Sequence, residues 1–337
     1  MVVGVILAGG YGKRLKPITD TVPKSLIEIK NGYTILDKQI LDMKYAGITK
    51  VYLLVGYLWE KIKERYGNNW NGVEIKYIVE DEPQGTHFAL KNCFSNLNED
   101  SVVLNGDVIA DFNIAELIKK SINTQNALLT IAITRMRSPY GVIDFKGDII
   151  LSFREKPILD YYINAGLYYF KKDTYPYFER DYSDTAVERT VFPLLAEERH
   201  AYIFTEENVF WQSVDSLKDL ERVRKEYRVR EDKPWGYEKT IVITEKYMVK
   251  ELYIKKGFET SLHYHPVKKE TMHIKYGRGF IEINGKRIPV GKEDVVNIEA
   301  NTKHRIIATE NLLLYEYSTP HPDDTVRIED PYARAQR

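Results

Sequence analysis

The sequence predicts a two-part chain: a mostly parallel α/β sheet domain followed by an all-β barrel. Three observations carry this reading. From residue 1 to about 135, apolar β-type runs alternate with helix-periodic stretches, the pattern of a parallel sheet covered on both faces. The first run, 2–8, breaks directly into Gly9, Gly10 and Gly12. After residue 236, short alternating runs are separated by KKG, NGK, VGK and EAN, turns spaced as in a small sandwich or barrel.

Taken in order, strands are expected at 2–8, 50–56, 73–79, 101–106 and 127–135, and helices at 33–46, 57–66, 86–97 and 113–122. The first helix carries Leu36, Ile40 and Met43 on one face and stops at Gly47. Shorter strands follow in YGVIDF, DIILSFREK and YYINAGLYYF. A helix over 185–198 contains Pro193, which starts or interrupts it. A charged helix over 216–228 closes the first domain. The polar VREDKPWG, 229–236, reads as a linker between domains 1–228 and 237–332.

Composition bounds the function. At 337 residues the chain exceeds one typical domain. Its 49 cations and 49 anions argue against nucleic-acid binding through bulk charge. The single cysteine, Cys93, rules out an intrachain disulfide framework and is expected to pack in a helix face. The run 2–8 is too short for a membrane span and lacks a basic start. These features predict a cytoplasmic protein without a membrane partner.

The stretch LAGGYGKRLKPITDTVPKSL, 7–26, carries the chemistry. Glycines after a strand let backbone amides approach a ligand. With Lys13, Arg14 and Lys24 beside them, they form a polyphosphate cradle. A P-loop is excluded, since no Gly-Lys-Ser/Thr run occurs, and Leu15 stands where a dinucleotide fingerprint needs its third glycine. What remains, Gly-Gly-x-Gly-x-Arg-Leu-x-Pro followed by Pro23-Lys24, resembles the signature of the sugar-1-phosphate nucleotidyltransferases.

That resemblance implies transfer of a nucleoside monophosphate from an NTP to a sugar 1-phosphate, with release of pyrophosphate. Leu7, Ala8, Gly9, Gly10, Gly12 and Lys13 then hold the nucleotide, and Gln84 and Gly85 of the PQGT stretch meet the base. Arg14 and Lys24 neutralise phosphate charge, and Lys156 of Glu155-Lys156-Pro157 positions the attacking sugar phosphate. Gly141, Glu155 and Asn164 line the sugar site. Asp107, at the end of SVVLNGD, and Asp215, in FWQSVDS, hold Mg2+. Ser213 replaces the commoner metal Asp, and capping of the 216–228 helix is the competing role for Asp215. PQGT and LNGDV look most like mannose- and heptose-1-phosphate guanylyltransferases, so GTP and mannose 1-phosphate are the first choice. CTP or dTTP with another sugar phosphate is the alternative, and a non-catalytic sugar-nucleotide sensor is a third reading.

The second constellation is Gly257-x5-His263-x-His265-x4-Glu270-x6-Gly277, with His304 beyond. Strand alternation puts His263 and His265 on one face, where Glu270 and His304 join them from neighbouring strands. Three imidazoles and a carboxylate suit Zn2+ or another divalent transition metal. The spacing resembles the first cupin motif. In the second motif Glu299 and Asn301 stand where Pro and Gly are usual, and Asn is the natural substitute at a left-handed turn. The ends KPWGYE and STPHPDDTVRIEDPYAR resemble the cupin of type II phosphomannose isomerases. They imply a metal-dependent sugar-phosphate isomerase; the competing reading is a metal-bound cupin that is non-catalytic or serves dimerisation, and a homo-oligomer is among the expected partners.

Overall fold

The computed structural model describes residues 1–332. The chain divides into two compact units, Met1–Val223 and Arg224–Arg337, each taken in turn.

The first unit is built on strands β1 (Val2–Leu7), β2 (Lys50–Val55), β3 (Val73–Val79), β4 (Asp100–Asn105), β5 (Leu129–Arg137), β6 (Val142–Lys146), β7 (Ile149–Arg154), β8 (Ile158–Phe170) and β9 (Ala201–Phe204). Among the described residues, one eight-stranded sheet runs β9-β5-β8-β4-β1-β2-β3, ending in the short strand Asn69–Trp70. The pairs β1–β2, β1–β4, β2–β3 and β5–β9 are parallel. Strand β8 runs antiparallel to both β4 and β5. Alternation along β1 divides the core between two faces. Ile6 and Ala8 join one cluster, while Val3 and Val5 join the other. Val3, Val5 and Ile6, each fully buried, stabilise by about 1.5–3 kcal/mol apiece.

Helices α1 (Ile35–Tyr45), α2 (Trp59–Tyr66), α3 (Thr86–Phe94), α4 (Ile114–Asn123) and α5 (Val191–Glu197) belong to this unit, and α6 (Leu217–Tyr227) runs across the boundary. α1 starts where Thr34 and Asp37 form a capping box, each satisfying an otherwise unpaired backbone N–H of the other. Cys93 of α3 is buried in the second cluster, as expected. The helix expected over 185–198 is shorter. Val187–Arg189 is one 3-10 turn, and α5 begins only at Val191. Pro193 thus falls in the first helical turn, where its missing N–H costs no hydrogen bond.

In the second unit, β10 (Arg230–Lys233), β11 (Gly236–Ile243), β12 (Met248–Ile254), β13 (Leu262–Tyr264), β14 (Glu270–Tyr276), β15 (Gly279–Ile283), β16 (Lys286–Val290), β17 (Val295–Ile298), β18 (His304–Ala308), β19 (Leu312–Ser318) and β20 (Val326–Glu329) follow. They form sheets ordered β10-β11-β12-β19-β14-β17 and β16-β15-β18-β13-β20. Leu252, Met272 and Leu314 from the first sheet and Ile281, Val290 and Ile306 from the second share one core.

Residues 229–236, expected as a linker, contain a paired strand. β10 forms a hairpin with β11. Arg230 drives this: it is buried, salt-bridged to Asp232 at 2.7 Å and stacked over the rings of Tyr227 and Tyr237. A polar stretch becomes structured because its charge is paired inside the fold. Asn301 adopts φ 61°, the left-handed conformation expected of it. Among the described residues, no helix is long and apolar enough to cross a membrane, which leaves β-barrel spans unaddressed.

Candidate functional site

In the first unit the carboxyl ends of β1, β3 and β4 open onto a cleft of about 390 Å³, where ligands sit in sheets of this kind. Leu7, Ala8, Gly9, Gly10, Gly12, Lys13, Arg14 and Lys24 line it, together with Gly85, Asp107 and Asp215. Gly12 has φ 62°, and a Cβ there would lie 2.8 Å from Thr19 Cγ2, so the turn into Lys13–Leu15 requires glycine. Gly106 N donates to Leu7 O at 3.0 Å, which brings the ends of β1 and β4 together behind Asp107.

The charged groups converge. Lys24 Nζ donates to Asp107 Oδ2 at 2.8 Å and to Asp215 Oδ1 at 3.0 Å. Arg14, largely exposed, reaches the same Asp215 oxygen at 2.7 Å. Ser213 Oγ donates to the other Asp215 oxygen at 2.7 Å. Partial burial pushes the Asp215 pKa up, but Ser213, Lys24 and Arg14 together hold it below the usual carboxylate value. The competing capping role does not belong to Asp215. Ser216 Oγ and Asp219 bond each other at the start of α6, leaving the Asp215 carboxylate to the cleft. Asp107 and Asp215, bridged by one ammonium, form a carboxylate pair able to take a hard divalent cation.

Other expected residues lie elsewhere. Gln84 is exposed and does not line the cavity, although Gly85 does. Lys156, at φ 46°, pairs with Glu155 at 3.3 Å; both are largely exposed and outside the cleft lining. Glu155 lies against Gly141, whose Cβ would stand 3.2 Å from Glu155 Oε2. Asn164 accepts from Gly166 N at 2.9 Å and donates to Tyr168 OH at 2.8 Å. A Cβ on Gly166 would sit 3.0 Å from Asn105 Nδ2, so this irregular stretch of β8 abuts the end of β4.

Glu80 was not among the expected residues. It follows β3, lines the cleft, and its pKa is raised by burial. The signal was available, since a carboxylate ending an apolar strand is the same pattern that marks Asp107.

The second unit holds a cavity of about 640 Å³. His263 and His304 face each other in register on β13 and β18, and Glu270 opens β14 in the other sheet. The ligand atoms of His263, His265 and His304 lie within 4.8 Å of one another. Each imidazole is oriented from behind. His263 Nδ1 donates to Ser261 O at 2.7 Å, His265 Nδ1 to Asp324 Oδ1 at 3.0 Å, and His304 Nδ1 to Thr302 O at 2.9 Å. Since these partners only accept, each Nδ1 carries the proton and each Nε2 presents a lone pair.

Glu270 Oε1 lies 3.1 Å from His265 Nε2, and Oε2 lies 3.0 Å from His304 Nε2. None of Oε2 and the two Nε2 atoms makes a hydrogen bond, although all are buried. Two donor atoms each about 2.1 Å from one ion, at right angles, stand about 3.0 Å apart. The donor set therefore fits a divalent transition metal. Burial pushes His263 down to about 3, keeping it neutral as a ligand must be. Burial pushes Glu270 up, but the Lys268 ammonium beside it opposes this and keeps the carboxylate charged, below the usual value. Lys268, itself buried, joins Glu270 at 2.5 Å and Glu316 at 3.1 Å.

Comparison with known proteins identifies two domains along the chain. The Nucleotidyl transferase family model matches residues 3–230, and the Cupin domain model matches 251–314. The chain is 38% identical over 234 residues to a mannose-1-phosphate guanyltransferase of Candida albicans. It is 35% identical over 228 residues to a mannose-1-phosphate guanylyltransferase catalytic subunit beta of Danio rerio. Each alignment covers 64% of this chain and 62% of the relative's own length. In fold it is similar to the crystal structure of HddC from Yersinia pseudotuberculosis, with TM-score 0.53 and 23% identity, covering 67% of this chain and all of that one. The chain thus belongs to the nucleotidyl transferase family and carries a cupin domain after its transferase region.

Proposed function

We propose that this chain transfers a nucleoside monophosphate from an NTP, first choice GTP, to mannose 1-phosphate, giving an NDP-sugar and pyrophosphate. The observation that carries the reading is the convergence of Arg14, Lys24, Asp107 and Asp215 on one glycine-lined cleft. The similarity to mannose-1-phosphate guanyltransferases supports the choice of base and sugar.

The attacking group is the sugar's own phosphate oxygen, so no protein nucleophile is required. Amides of the Gly9–Gly12 turn cradle the triphosphate. Arg14 and Lys13 face the departing pyrophosphate, and Lys24 holds a phosphate oxygen once it is released from the carboxylates. Asp107 and Asp215 would hold Mg2+, which supplies charge neutralisation and alignment of the phosphates. Lys156, Glu155, Gly141 and Asn164 are assigned to the sugar phosphate and sugar, and Gln84 to the base. In the cupin, His263, His265, His304 and Glu270 would hold Zn2+ or a related ion, whose Lewis acidity suits sugar isomerisation. The domain division is taken as 1–228 and 237–332, and the setting as cytoplasmic, without nucleic acid or membrane.

The test is pyrophosphate release across GTP, CTP, dTTP and ATP with several sugar 1-phosphates. Preference for GTP with mannose 1-phosphate supports the proposal. Preference for CTP or dTTP replaces the base assignment, and no release with any pair favours a sensor.

A further inference from the structure

We infer that Gln39 is a positioning residue that aims Asp107 at the divalent cation, although it stands on α1 and outside the cleft lining. This role rests on the carboxylate pair of the proposed transferase site and names what holds one member of it in place.

Helix α1 buries Leu36, Ile40 and Met43 in the core, and Gln39, only 2% exposed, is buried with them. Packing alone would be served by leucine or methionine, since a buried amide is costly unless it is hydrogen-bonded. Gln39 Nε2 donates to Asn105 O and to Val108 O, each at 2.9 Å. These carbonyls belong to the first and last residues of the turn Asn105-Gly106-Asp107-Val108, which carries the metal carboxylate. Both partners only accept, so the NH2 group must face them, and both of its hydrogens are used. One planar group thereby fixes the separation of the two ends of the turn.

The middle of the turn is held from other elements. Gly106 N donates to Leu7 O at 3.0 Å, and Val214 N donates to Asp107 O at 2.9 Å. The first bond ties the turn to the glycine-rich end of β1, and the second ties it to the segment that brings Asp215. With Gln39 closing the ends, the Asp107 backbone is set from three directions, and its side chain is left facing Lys24 and the cleft. A ligand carboxylate moves with the turn that bears it. Hydrogen bonds behind a metal ligand therefore tune affinity by about 10–100-fold without touching the ion.

Mn2+ titration of the full chain without nucleotide, read by calorimetry, tests this role. Gln39→Met keeps the length of the side chain and removes both donors. It should weaken Mn2+ binding by about 10–100-fold. The Mn2+ concentration for half-maximal pyrophosphate release should rise in step, with KM for GTP at saturating metal unchanged. In an Asp107→Ala background the same substitution should weaken Mn2+ binding no further, a coupling that general loosening of the fold would not produce. Should Gln39→Met unfold, Gln39→Asn, whose amide stops one methylene short, carries the same comparison. Unchanged Mn2+ affinity in a folded Gln39 variant overturns the inference, as does an equal further loss in the Asp107→Ala background. Wild type that takes up no Mn2+ at millimolar concentration overturns it too, and so does unfolding of both variants, since Gln39 would then serve the fold. The expected Mn2+ pattern without pyrophosphate release from any substrate pair would support the role of Gln39 and remove the transferase reading instead.

Discussion

Lys24 Nζ donates to Asp107 Oδ2 at 2.8 Å, joining two residues 83 positions apart in the chain. The same ammonium reaches Asp215 at 3.0 Å. A cation thus already sits between the two carboxylates assigned to the metal, and the cleft is held together by these charges.

Lys24→Met should therefore separate binding from turnover. Removing a positive charge about 3 Å from both carboxylates should tighten Mn2+ binding without nucleotide by about tenfold or more, while pyrophosphate release falls sharply. Calorimetric titration with Mn2+ reads the first effect. Weaker Mn2+ binding in the variant would contradict the arrangement.

Arg14→Ala should lower turnover by about 10²–10⁴-fold, the usual cost of losing a group that stabilises transition-state charge. The side chain is mostly exposed, so the thermal melt should barely move. Near-native pyrophosphate release would remove Arg14 from the mechanism.

Gly106→Ala should destabilise the first unit. The new Cβ would lie 2.3 Å from Leu7 O, the acceptor of the Gly106 N–H. Overpacking of this kind costs about 1–3 kcal/mol, readable as a lower urea midpoint. An unchanged midpoint would show that β1 and β4 separate freely at the cleft.

His304→Ala should empty the cupin centre. Elemental analysis should show about one equivalent of transition metal in wild type and a large loss in the variant. A ligand at about 100 times its Kd stabilises by about 2.7 kcal/mol, so chelation should lower the wild-type melt and leave the variant's unchanged.

The metal-free protein should lose stability as pH falls below the ordinary histidine value of 6.5. The folded pKa of His263 is pushed down to about 3 by burial. Between those values the unfolded chain binds the proton and the folded chain does not, so stability rises with pH across that window and is complete above it. Melts of chelated protein at several pH values should show this slope, and His263→Asn should flatten it. A flat wild-type profile would mean that His263 is not held neutral.

Much of the architecture was legible because its signals are local. Helix α1 follows from the spacing of Leu36, Ile40 and Met43, and the left-handed Asn301 from its place in a turn. The shortened helix α5 and the strand β10 were less legible. Pro193 acts through its position within a turn, and Arg230 is ordered by partners that a linear reading cannot weigh. Exposed Gln84 and Lys156 mark the same limit, since a motif names a residue type without orienting its side chain.

The sequence by itself determined the two-part architecture, the glycine turn with its cations, and the histidine set, because alternation and motif spacing act over a few residues. Only the tertiary structure decided that Lys24 bridges Asp107 and Asp215, that Glu80 shares their cleft, and that Glu270 reaches the histidines from the other sheet rather than from a neighbouring strand. Those relationships depend on strand order and register, through which distant segments come within 3 Å, and short-range preference carries no record of that distance.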